Sequence, residues 1–405
     1  MKISLEDLMR RVGCINYPIV EEKFLVDAME AYEREGLEIA LPGYFENLER
    51  KYGCFGSYLM IFVEAARRVA LDEWLSRYLA LLVKLLHQKD WTDEEWLPLS
   101  ELYPPEGADE MAYAMAPGLA LCTQLEDMVD SLTAKGIPKE MIIKCLKAPV
   151  AGVISYQNKH DGRPGHNLLW WQQRNIKGRI FQIGRLEYEL GIGFPDQAVV
   201  FCDDRGEIIT LANDIELHRS GFALGSVHYE DRLGSWKAQI QENEWGWVGY
   251  PYGSNGLVAS QTVFLKKGKW KKILEPKDQV ISIHIPGGEK LTPALVDESL
   301  CAAKEFIAAY YPDVEYKAFI CGSWLMDPQV CDLAGEESNI TKFNRRFTPM
   351  TIKSQGRAVF GFVFLKPDNN FNLAELPENT RLERKLKAHY LSGKAVYEMY
   401  GFFLP

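Results

Sequence analysis

An imidazole and two carboxylates alternate with apolar residues in two short segments of the sequence. In Val280–Ile285, the three isoleucines predict one face of a strand and place His284 on the other face. In an earlier segment, Glu187 and Glu189 alternate with leucine and tyrosine, so both carboxylates point to one face. Imidazole, with an ordinary pKa near ~6.5, can deprotonate an amine at neutral pH, and a carboxylate can do so through a water molecule. The same residues also suit a hydrogen-bonded structural histidine and the solvent face of a strand.

A glycine-rich loop follows the His284 strand and leads into a predicted helix. Two adjacent glycines let the backbone approach an anion closely, and the free N–H groups at a helix start attract negative charge. A Gly-Gly pair before a helix is, however, often a simple turn. The loop spans Pro286–Leu291, and its candidate ligand-binding residues, together with the predicted N-cap, are Ile285, Gly287, Gly288, Lys290 and Thr292.

Two further segments carry polar groups at the ends of predicted elements. Ser323 follows the predicted strand Lys317–Cys321, where its hydroxyl could protonate a leaving group or complete a turn. We predict that Cys321 is a buried structural thiol, because no base that would activate it is visible in the sequence. Ser338 and Asn339 form a helix entry by the logic of N-capping.

Residues 1–150 predict an all-helical domain. Apolar residues recur at helical spacing between Gly56 and His87, and Pro- or Gly-containing breaks separate this stretch from its neighbours. Almost no segment alternates with the period of a strand. We therefore expect a first domain, 1–150, that consists of helices alone.

From residue 151 onward, short strands alternate with helices. A helix from Thr292 to about Tyr310 separates two of the strands, which indicates a sheet of mixed direction and a second domain at 151–405. The fold class is thus α+β or α/β. The predicted strands are Phe181–Leu190, Ala198–Cys202, Glu207–Leu211, Thr262–Leu265, Val280–Ile285, Lys317–Cys321, Ala358–Leu365 and Tyr397–Leu404, and the other helices are Asn167–Ile176, Asn339–Phe347 and Asn379–Leu391.

Charge and composition exclude several classes of function. The net charge is −10, residues 1–150 hold 16 basic and 26 acidic side chains, and 151–405 hold 30 of each. Neither part of the sequence contains the stripe of basic residues that nucleic-acid binding requires. No apolar run approaches the roughly 18 residues of a membrane span, and the early acidic residues argue against a signal peptide, so we expect a cytoplasmic protein. The eight cysteines form no C-x-x-C pair, and we predict no metal site.

Aromatic residues crowd one region of the predicted sheet domain. Trp236, Trp245, Trp247 and Tyr250 lie around Gly246 and Gly249. They could line an apolar or sugar-binding pocket, or form the core of a β-rich insertion.

Four segments of the sequence carry a resemblance to a known family. They read GRIFQIGRLEYEL at 178–190 and, within 280–347, IHIPGGEKLTP, FICGSWLMDP and SNITKFNRRF. The chain resembles bacterial acyltransferase-domain proteins that have a helical N-terminal domain and a GNAT-like C-terminal domain. The likeness covers about 150–405 by motif and 1–150 by helical character and position. Similar sequences often have a histidine before the Ser-Trp pair, where this chain has Gly322.

The resemblance implies a GNAT fold and an N-acyltransferase that uses acetyl-CoA or another acyl-CoA. The acceptor would be an amine of a small molecule or peptide. The loop 286–291 and the following helix start would bind the CoA pyrophosphate, Asn339 the pantetheine amides and Arg346 the nucleotide phosphates. His284, Glu187 and Ser323 would lie beside the thioester and transfer protons.

The family's usual phosphate loop carries Gln or Arg followed by spaced glycines, and this loop lacks that spacing. An alternative is therefore a catalytically inactive GNAT-fold protein with a binding or regulatory role. The helical domain could cover the cleft, dock a partner or mediate a homodimer.

Overall fold

The computed structural model describes residues 3–88, 92–366 and 371–405, and the chain forms two compact units, Met1–Phe181 and Gln182–Pro405. The boundary expected at residue 150 falls within a helix and stays a prediction. The helices of the first unit are α1 (Leu5–Arg11), α2 (Glu22–Glu35), α3 (Tyr44–Tyr52), α4 (Leu59–Val69), α5 (Glu73–Gln88), α6 (Asp93–Ser100), α7 (Glu110–Cys122), α8 (Leu125–Ala134), α9 (Lys139–Leu146), α10 (Ala148–Lys159) and α11 (Leu169–Ile176).

The predicted helical stretch 56–87 is divided into α4 and α5 by a capping aspartate. The Asp72 carboxylate accepts hydrogen bonds from the amides of Trp74 and Leu75, both at 3.0 Å, which satisfies donors that the first turn of α5 leaves open. The apolar positions of α5 then recur at helical spacing, and Leu75, Leu79 and Leu82 are fully buried. The all-helical character of this part of the chain is confirmed.

A buried histidine lies in a slot between two helices of the first unit. The His166 ring packs against Gly118 of α7 and Gly152 of α10, and a Cβ at Gly152 would lie 2.2 Å from His166 Nε2. The backbone amide of His166 donates to Ala114 O at 2.8 Å, and Nε2 lies 3.2 Å from Gln172 Oε1. Burial lowers the pKa of His166 to about 4, so the ring is neutral at pH 7. Both glycines are required because the ring fills the space of their side chains.

The second unit is built on mixed β-structure. One six-stranded sheet has the order β1-β2-β11-β12-β14-β13, a second has β10-β3-β4-β8-β7 with β9 on β8, and β5 pairs with β6. The strands are β1 (Ile180–Ile183), β2 (Leu186–Gly193), β3 (Ala198–Asp203), β4 (Ile208–Ala212), β5 (Ile215–Leu217), β6 (Trp236–Ala238), β7 (Gln241–Glu242), β8 (Gly246–Pro251), β9 (Val263–Lys266), β10 (Trp270–Leu274), β11 (Gln279–His284), β12 (Ala318–Ser323), β13 (Thr348–Thr351) and β14 (Met399–Phe403).

The first of these sheets is mixed, as the sequence predicts. Strands β11 and β12 run parallel, whereas β2–β11, β12–β14 and β13–β14 are antiparallel. The parallel pair needs a crossover, which the 18-residue α12 supplies. The helices of this unit are α12 (Pro293–Tyr310), α13 (Gln329–Ala334), α14 (Asn339–Asn344), α15 (Ala358–Phe362) and α16 (Arg381–Leu391).

The predicted strand at 358–365 is wrong, because the segment begins with helix α15. Glu398 accepts a hydrogen bond from the Ala358 amide at 3.1 Å, which satisfies a donor of the first turn. Val359 and Phe360 are buried side by side, while Phe362 is 76% exposed, so burial does not alternate as in a strand. Short apolar runs without alternation do not distinguish a helix from a buried strand.

The aromatic group around Gly246 contributes mainly to the core. Trp247 is 7% exposed and packs on Phe201 with ring centroids 5.1 Å apart, and Trp236 lies 6.0 Å from Tyr250. Trp245 is the exception, with 67% exposure. These contacts favour the β-rich core over an aromatic pocket at this place.

Across the described ranges, none of the helices combines the length and the hydrophobicity that crossing a membrane requires. The same residues contain no group of three or more His, Cys, Asp or Glu side chains placed to hold a metal ion.

Candidate active site

The parallel strands β11 and β12 separate at their carboxyl ends. Their register pairs Ser282 with Ile320, and within the described residues it ends there. Strand β11 nevertheless continues to His284 against β2, and β12 continues to Ser323 against β14. Each strand end pairs with its outer neighbour and no longer with the other strand, so a gap opens between the two strand ends. We refer to this feature as the β11–β12 gap.

His284 and Glu189 form a hydrogen-bonded pair at the edge of this gap. His284 Nε2 lies 2.9 Å from Glu189 Oε2, and the two side chains are 23% and 6% exposed. The regular antiparallel β2–β11 register places His284 opposite Glu187 and Ser282 opposite Glu189, and a bulge follows only between Ser282 and Val280. Directly opposed residues share a face, so the structure brings both carboxylates and the imidazole together.

The two carboxylates differ in environment. Burial raises the pKa of Glu187, and the nearby His284 partly opposes this effect. Glu189 is 4% exposed and bonds directly to the imidazole. A carboxylate that accepts the Nε2–H bond fixes the tautomer and the orientation of the imidazole ring. Glu189 is thus the geometric partner of His284, whereas the sequence favoured Glu187 as the catalytic carboxylate.

The glycine loop after β11 presents open backbone amides. In the described part of the chain, no acceptor lies within hydrogen-bonding distance of the amides of residues 287–290. A Cβ built on Gly287 or Gly288 would meet nothing within 4 Å, and Gly288 has a φ of +103°, which favours glycine. Ile285 is half-buried beside the strand end, and Lys290 is exposed. Consecutive unpaired amides of this kind suit an anion.

Arg185 adds a buried positive charge next to this loop. Its Nη1 donates to Pro286 O at 2.8 Å, and the residue is 6% exposed. Its Nε is buried without a hydrogen-bond partner among the described residues, and burial lowers the pKa of the guanidinium. Alternation along the strand places Arg185 on the face of Glu187, but its hydrogen bond to Pro286 O ties it to the loop instead. An orphaned buried guanidinium N–H is a donor that a bound anion would satisfy.

The start of α12 offers fewer hydrogen-bond donors to an anion than the sequence suggested. Thr292 is the N-cap, and its hydroxyl accepts a hydrogen bond from the Leu295 amide at 3.4 Å. Pro293 has no N–H, so two of the first-turn positions offer no donor to a ligand. Ser299 anchors this helix to the β1–β2 hairpin through Ile183 O at 2.5 Å and Tyr188 Oη at 2.9 Å. The capacity to bind an anion therefore lies in the loop.

Asn339 and Arg346 lie in and just beyond α14. Ser338 is the N-cap, as predicted, and accepts a hydrogen bond from the Thr341 amide at 3.1 Å. Asn339 is half-buried in the first turn, and Arg346 forms an ion pair with Asp297 of α12 at 2.5 Å. The described contacts do not connect either residue to His284, and their roles stay predictions.

Ser323 and Tyr400 stand near the end of β12. The Ser323 hydroxyl accepts a hydrogen bond from the Leu325 amide at 3.1 Å, so it caps a short 3-10 helix. Tyr400 is opposite Gly322, and a Cβ on Gly322 would lie 2.9 Å from Tyr400 Cε1, so the ring occupies the space that a side chain at position 322 would take. Strand alternation places the Gly322 position on the His284 face and Ser323 on the other. The structure therefore brings Tyr400, rather than Ser323, to the face of His284.

Comparison with known proteins defines the family. Residues 180–403, more than half of the chain, match the family model of the GNAT-like C-terminal domain. The chain belongs to this family. In the GNAT-like domain, the matched segment extends from β1 to the last residue of β14. No curated protein matches the chain.

Solved structures of acyltransferases share the architecture of the whole chain. An acyltransferase in complex with CoA and 10C-teicoplanin has a TM-score of 0.61 at 19% identity, with 99% of each chain covered. An acyltransferase in complex with decanoyl-CoA has a TM-score of 0.61 at 18% identity, with 100% of each chain covered. At this identity the likeness shows the fold. The expected order of a helical part followed by a GNAT-like mixed sheet is confirmed.

Proposed function

We propose that this chain is an acyl-CoA-dependent acyltransferase that acylates an amine. The observation that carries the proposal is the His284–Glu189 pair, 2.9 Å apart, at the edge of the β11–β12 gap and directly before a loop of open amides. A base, an opening in the sheet and an anion-binding loop are the three elements that this reaction needs. Membership of the GNAT-like family and the acyl-CoA complexes of similar structures support the same activity.

In this proposal, the CoA pyrophosphate binds the amides of residues 287–290 beside Arg185. The open amides and the orphaned Arg185 Nε fit a diphosphate, since each supplies a donor without a competing protein acceptor. Lys290 adds a positive charge at the exposed edge of the loop. Thr292 does not contact the diphosphate in this proposal but caps α12 and so fixes the end of the loop. The pantetheine arm then enters the β11–β12 gap, and we propose that Asn339 binds its amides and Arg346 reaches the nucleotide phosphates.

The chemical step is a direct transfer. The amine nitrogen attacks the thioester carbonyl, the C–N bond forms and the C–S bond breaks. The His284 imidazole accepts the proton of the amine, and the Glu189 carboxylate stabilises the imidazolium. We propose that backbone N–H groups at the strand ends polarise the carbonyl. The products are an amide and CoA, whose thiolate takes a proton from the Tyr400 hydroxyl. The Tyr400 phenolate then regains a proton from the His284 imidazolium through solvent, which restores both residues.

The acceptor is proposed to be an amine on a small molecule. Two of the similar structures contain teicoplanin or 10C-teicoplanin, which shows that proteins of this architecture accommodate a sizeable small molecule. The choice of acceptor in this chain depends on its own residues. A peptide amine, a homodimeric assembly and a cytoplasmic location stay predictions.

A GNAT-like protein without catalysis is the second candidate, and the observation that favours it is the start of α12. The Thr292 cap and Pro293 remove donors that a GNAT phosphate site would use. Such a protein would bind acyl-CoA without turning it over.

Thermal unfolding and thiol release separate the two candidates. We expect decanoyl-CoA or acetyl-CoA to raise the melting temperature of the purified chain, since a ligand that binds the folded state stabilises it. With a panel of primary amines added, we expect amine-dependent release of free CoA thiol, measured with a thiol reagent. Stabilisation without thiol release would favour the inactive protein, and neither effect would contradict both candidates.

Tyr400→Phe and Ser323→Ala test which hydroxyl protonates the thiolate. Burial raises the pKa of Tyr400, so the hydroxyl stays protonated at neutral pH and can serve as a donor. We expect Tyr400→Phe to lower kcat by about 10- to 100-fold with little change in the KM for acyl-CoA, because proton donation acts in the transition state.

Ser323→Ala should retain kcat within about two-fold and lower the melting temperature slightly, because a helix cap is lost. The reverse ranking of the two kcat values would assign the proton donor to Ser323, as the sequence suggested.

A further inference from the structure

The Ser282 hydroxyl lies on the same face of β11 as His284. The two residues are separated by one position, and successive side chains of a strand alternate between its faces. Ser282 is 8% exposed, and within the described residues its Oγ has no hydrogen-bond partner. A buried hydroxyl without a partner has lost the hydrogen bonds that it makes in water, so a ligand that supplies one would offset this cost.

The strand pairing explains why the Ser282 hydroxyl has no partner. Its opposite residue across the β2–β11 register is Glu189, whose carboxylate could accept a hydrogen bond from a hydroxyl. The carboxylate instead reaches its diagonal neighbour His284, with 2.9 Å between Glu189 Oε2 and His284 Nε2. On the other side of β11, Ser282 is paired with Ile320, whose side chain has no polar atom. The hydroxyl is therefore left over because Glu189 bonds to the imidazole.

A second buried hydroxyl shows how Ser282 differs from an ordinary core residue. Thr210 on β4 is 4% exposed, and its Oγ1 is closed off from solvent without a hydrogen-bond partner. Ser282 Oγ also has no partner, but it keeps accessible surface. It belongs to the last residue pair that joins β11 to β12, at the place where the β11–β12 gap begins. A ligand can therefore reach the hydroxyl of Ser282 but not that of Thr210.

The spacing between Ser282 and His284 fits one nitrogen atom between the two side chains. Side chains two residues apart on a strand are separated by about 6.6 Å. Two consecutive hydrogen bonds of about 3 Å each span nearly this distance, so a nitrogen atom that bonds to the imidazole also reaches the hydroxyl. Such a nitrogen lies beside the β11–β12 gap, where the proposed function places the thioester.

A neutral primary amine has two N–H bonds and one lone pair, which match this arrangement. In the proposed transfer, one N–H bond faces the His284 imidazole and the lone pair faces the thioester carbonyl carbon. The second N–H bond is left to donate to an acceptor, and Ser282 Oγ has lone pairs for it. This hydrogen bond would fix the rotation of the amine and aim its lone pair. A secondary amine carries a carbon atom in place of one hydrogen and cannot make both contacts.

We propose that the Ser282 hydroxyl accepts a hydrogen bond from the acceptor amine and makes the enzyme selective for primary amines. The proposal rests on the proposed acyltransferase function and specifies the acceptor class for it. Ser282 orients the nucleophile and takes no proton. The C–N bond forms, the C–S bond breaks, and the proton of the amine goes to the His284 imidazole.

The test compares butylamine with N-methylbutylamine in the full-length chain, with decanoyl-CoA as donor. We expect the wild type to have a kcat/KM for butylamine at least ten-fold above that for N-methylbutylamine. Ser282→Ala should lower the value for butylamine by about ten-fold and leave that for N-methylbutylamine within about two-fold, because only the primary amine loses a hydrogen bond.

Two measurements exclude a merely structural effect of the substitution. The KM for decanoyl-CoA and the melting temperature of Ser282→Ala should match those of the wild type, since no group of the protein loses a partner. Thr210→Val removes a buried hydroxyl that also has no partner but is closed off from solvent, so it is the matched control. It should leave the ratio of the two kcat/KM values unchanged.

The outcomes separate the Ser282 proposal from the acyltransferase proposal. If Ser282→Ala leaves the ratio of the two kcat/KM values unchanged, or lowers both values equally, the Ser282 proposal is wrong and the acyltransferase stands. Absence of turnover with every amine would overturn the acyltransferase. Calorimetric titration of butylamine into wild type and Ser282→Ala, both saturated with CoA, then still tests the contact. No binding, or binding that Ser282→Ala weakens less than three-fold, would refute it.

Discussion

Replacing His284 with glutamine is expected to lower kcat by roughly 10²- to 10³-fold while the KM for acyl-CoA stays within about two-fold. Glutamine keeps a donor toward Glu189 and a similar volume but cannot accept a proton, so the loss reports general-base catalysis. The CoA phosphates would bind at the loop, at some distance from the ring, which explains the unchanged KM. Steady-state thiol release with a saturating amine measures both constants.

The two carboxylates provide the matched controls for this variant. Glu189→Gln should lower kcat by roughly 10-fold, because it removes the charge that stabilises the imidazolium at 2.9 Å. Combined with His284→Gln it should add little, since the two residues act as a unit. Glu187→Gln should have the smallest effect. If Glu187→Gln instead matches His284→Gln, the carboxylate favoured by the sequence is the base, and His284 does not accept the proton of the amine.

Gly152→Ala is expected to destabilise the first unit by about 2 kcal/mol and to lower its melting temperature by roughly 4–8 °C. In an ordinary helix this change would stabilise by about 1 kcal/mol, since alanine has the higher helix propensity. Here the new Cβ would lie 2.2 Å from His166 Nε2, and Gly118 prevents the ring from moving to the other side. Overpacking therefore outweighs propensity. Thermal unfolding monitored by circular dichroism measures the difference.

Two further variants test whether overpacking against His166 causes the loss of stability in Gly152→Ala. Ala151→Gly, at the exposed neighbouring position of α10, reports the propensity effect alone and should cost about 1 kcal/mol. His166→Ala removes the ring, so Gly152→Ala should cost far less in that background than in the wild type. A Gly152→Ala protein as stable as the wild type would show that the slot around His166 can widen, contrary to the close packing of the ring against both helices.

The sequence predicted that the candidate catalytic residues share a face but not how they pair within it. Alternation within a strand shows which residues share a face, because successive side chains point to opposite sides. It groups Glu187 with Glu189 and separates His284 from its neighbouring isoleucines. His284 is directly opposite Glu187 but bonds to Glu189, its diagonal neighbour, so the pairing depends on the strand register and on the side-chain conformations. Strands that are 95 positions apart in the sequence leave no local signal for either. The sequence therefore predicted which three residues lie together, but it selected Glu187 where the structure pairs Glu189 with His284.

Tyr400 and Arg185 were missed for a related reason. Tyr400 reaches the site because β14 returns beside β12, 78 residues from Gly322, and the missing side chain at Gly322 makes room for its ring. Arg185 alternates with Glu187, which would favour a contact on that face, but the turn at Gly184 directs its side chain to Pro286. Long-range strand order decides both contacts. Local features such as the Thr292 and Ser338 caps, by contrast, were predictable because they depend on a few adjacent residues.

The most direct test of the proposed acyltransferase site is a crystal structure of the full-length chain with decanoyl-CoA. We predict that the diphosphate accepts hydrogen bonds from the amides of residues 287–290 next to Arg185, and that the thioester lies in the β11–β12 gap within reach of His284. A nucleotide bound elsewhere, or a gap closed by hydrogen bonds between the ends of β11 and β12, would contradict it.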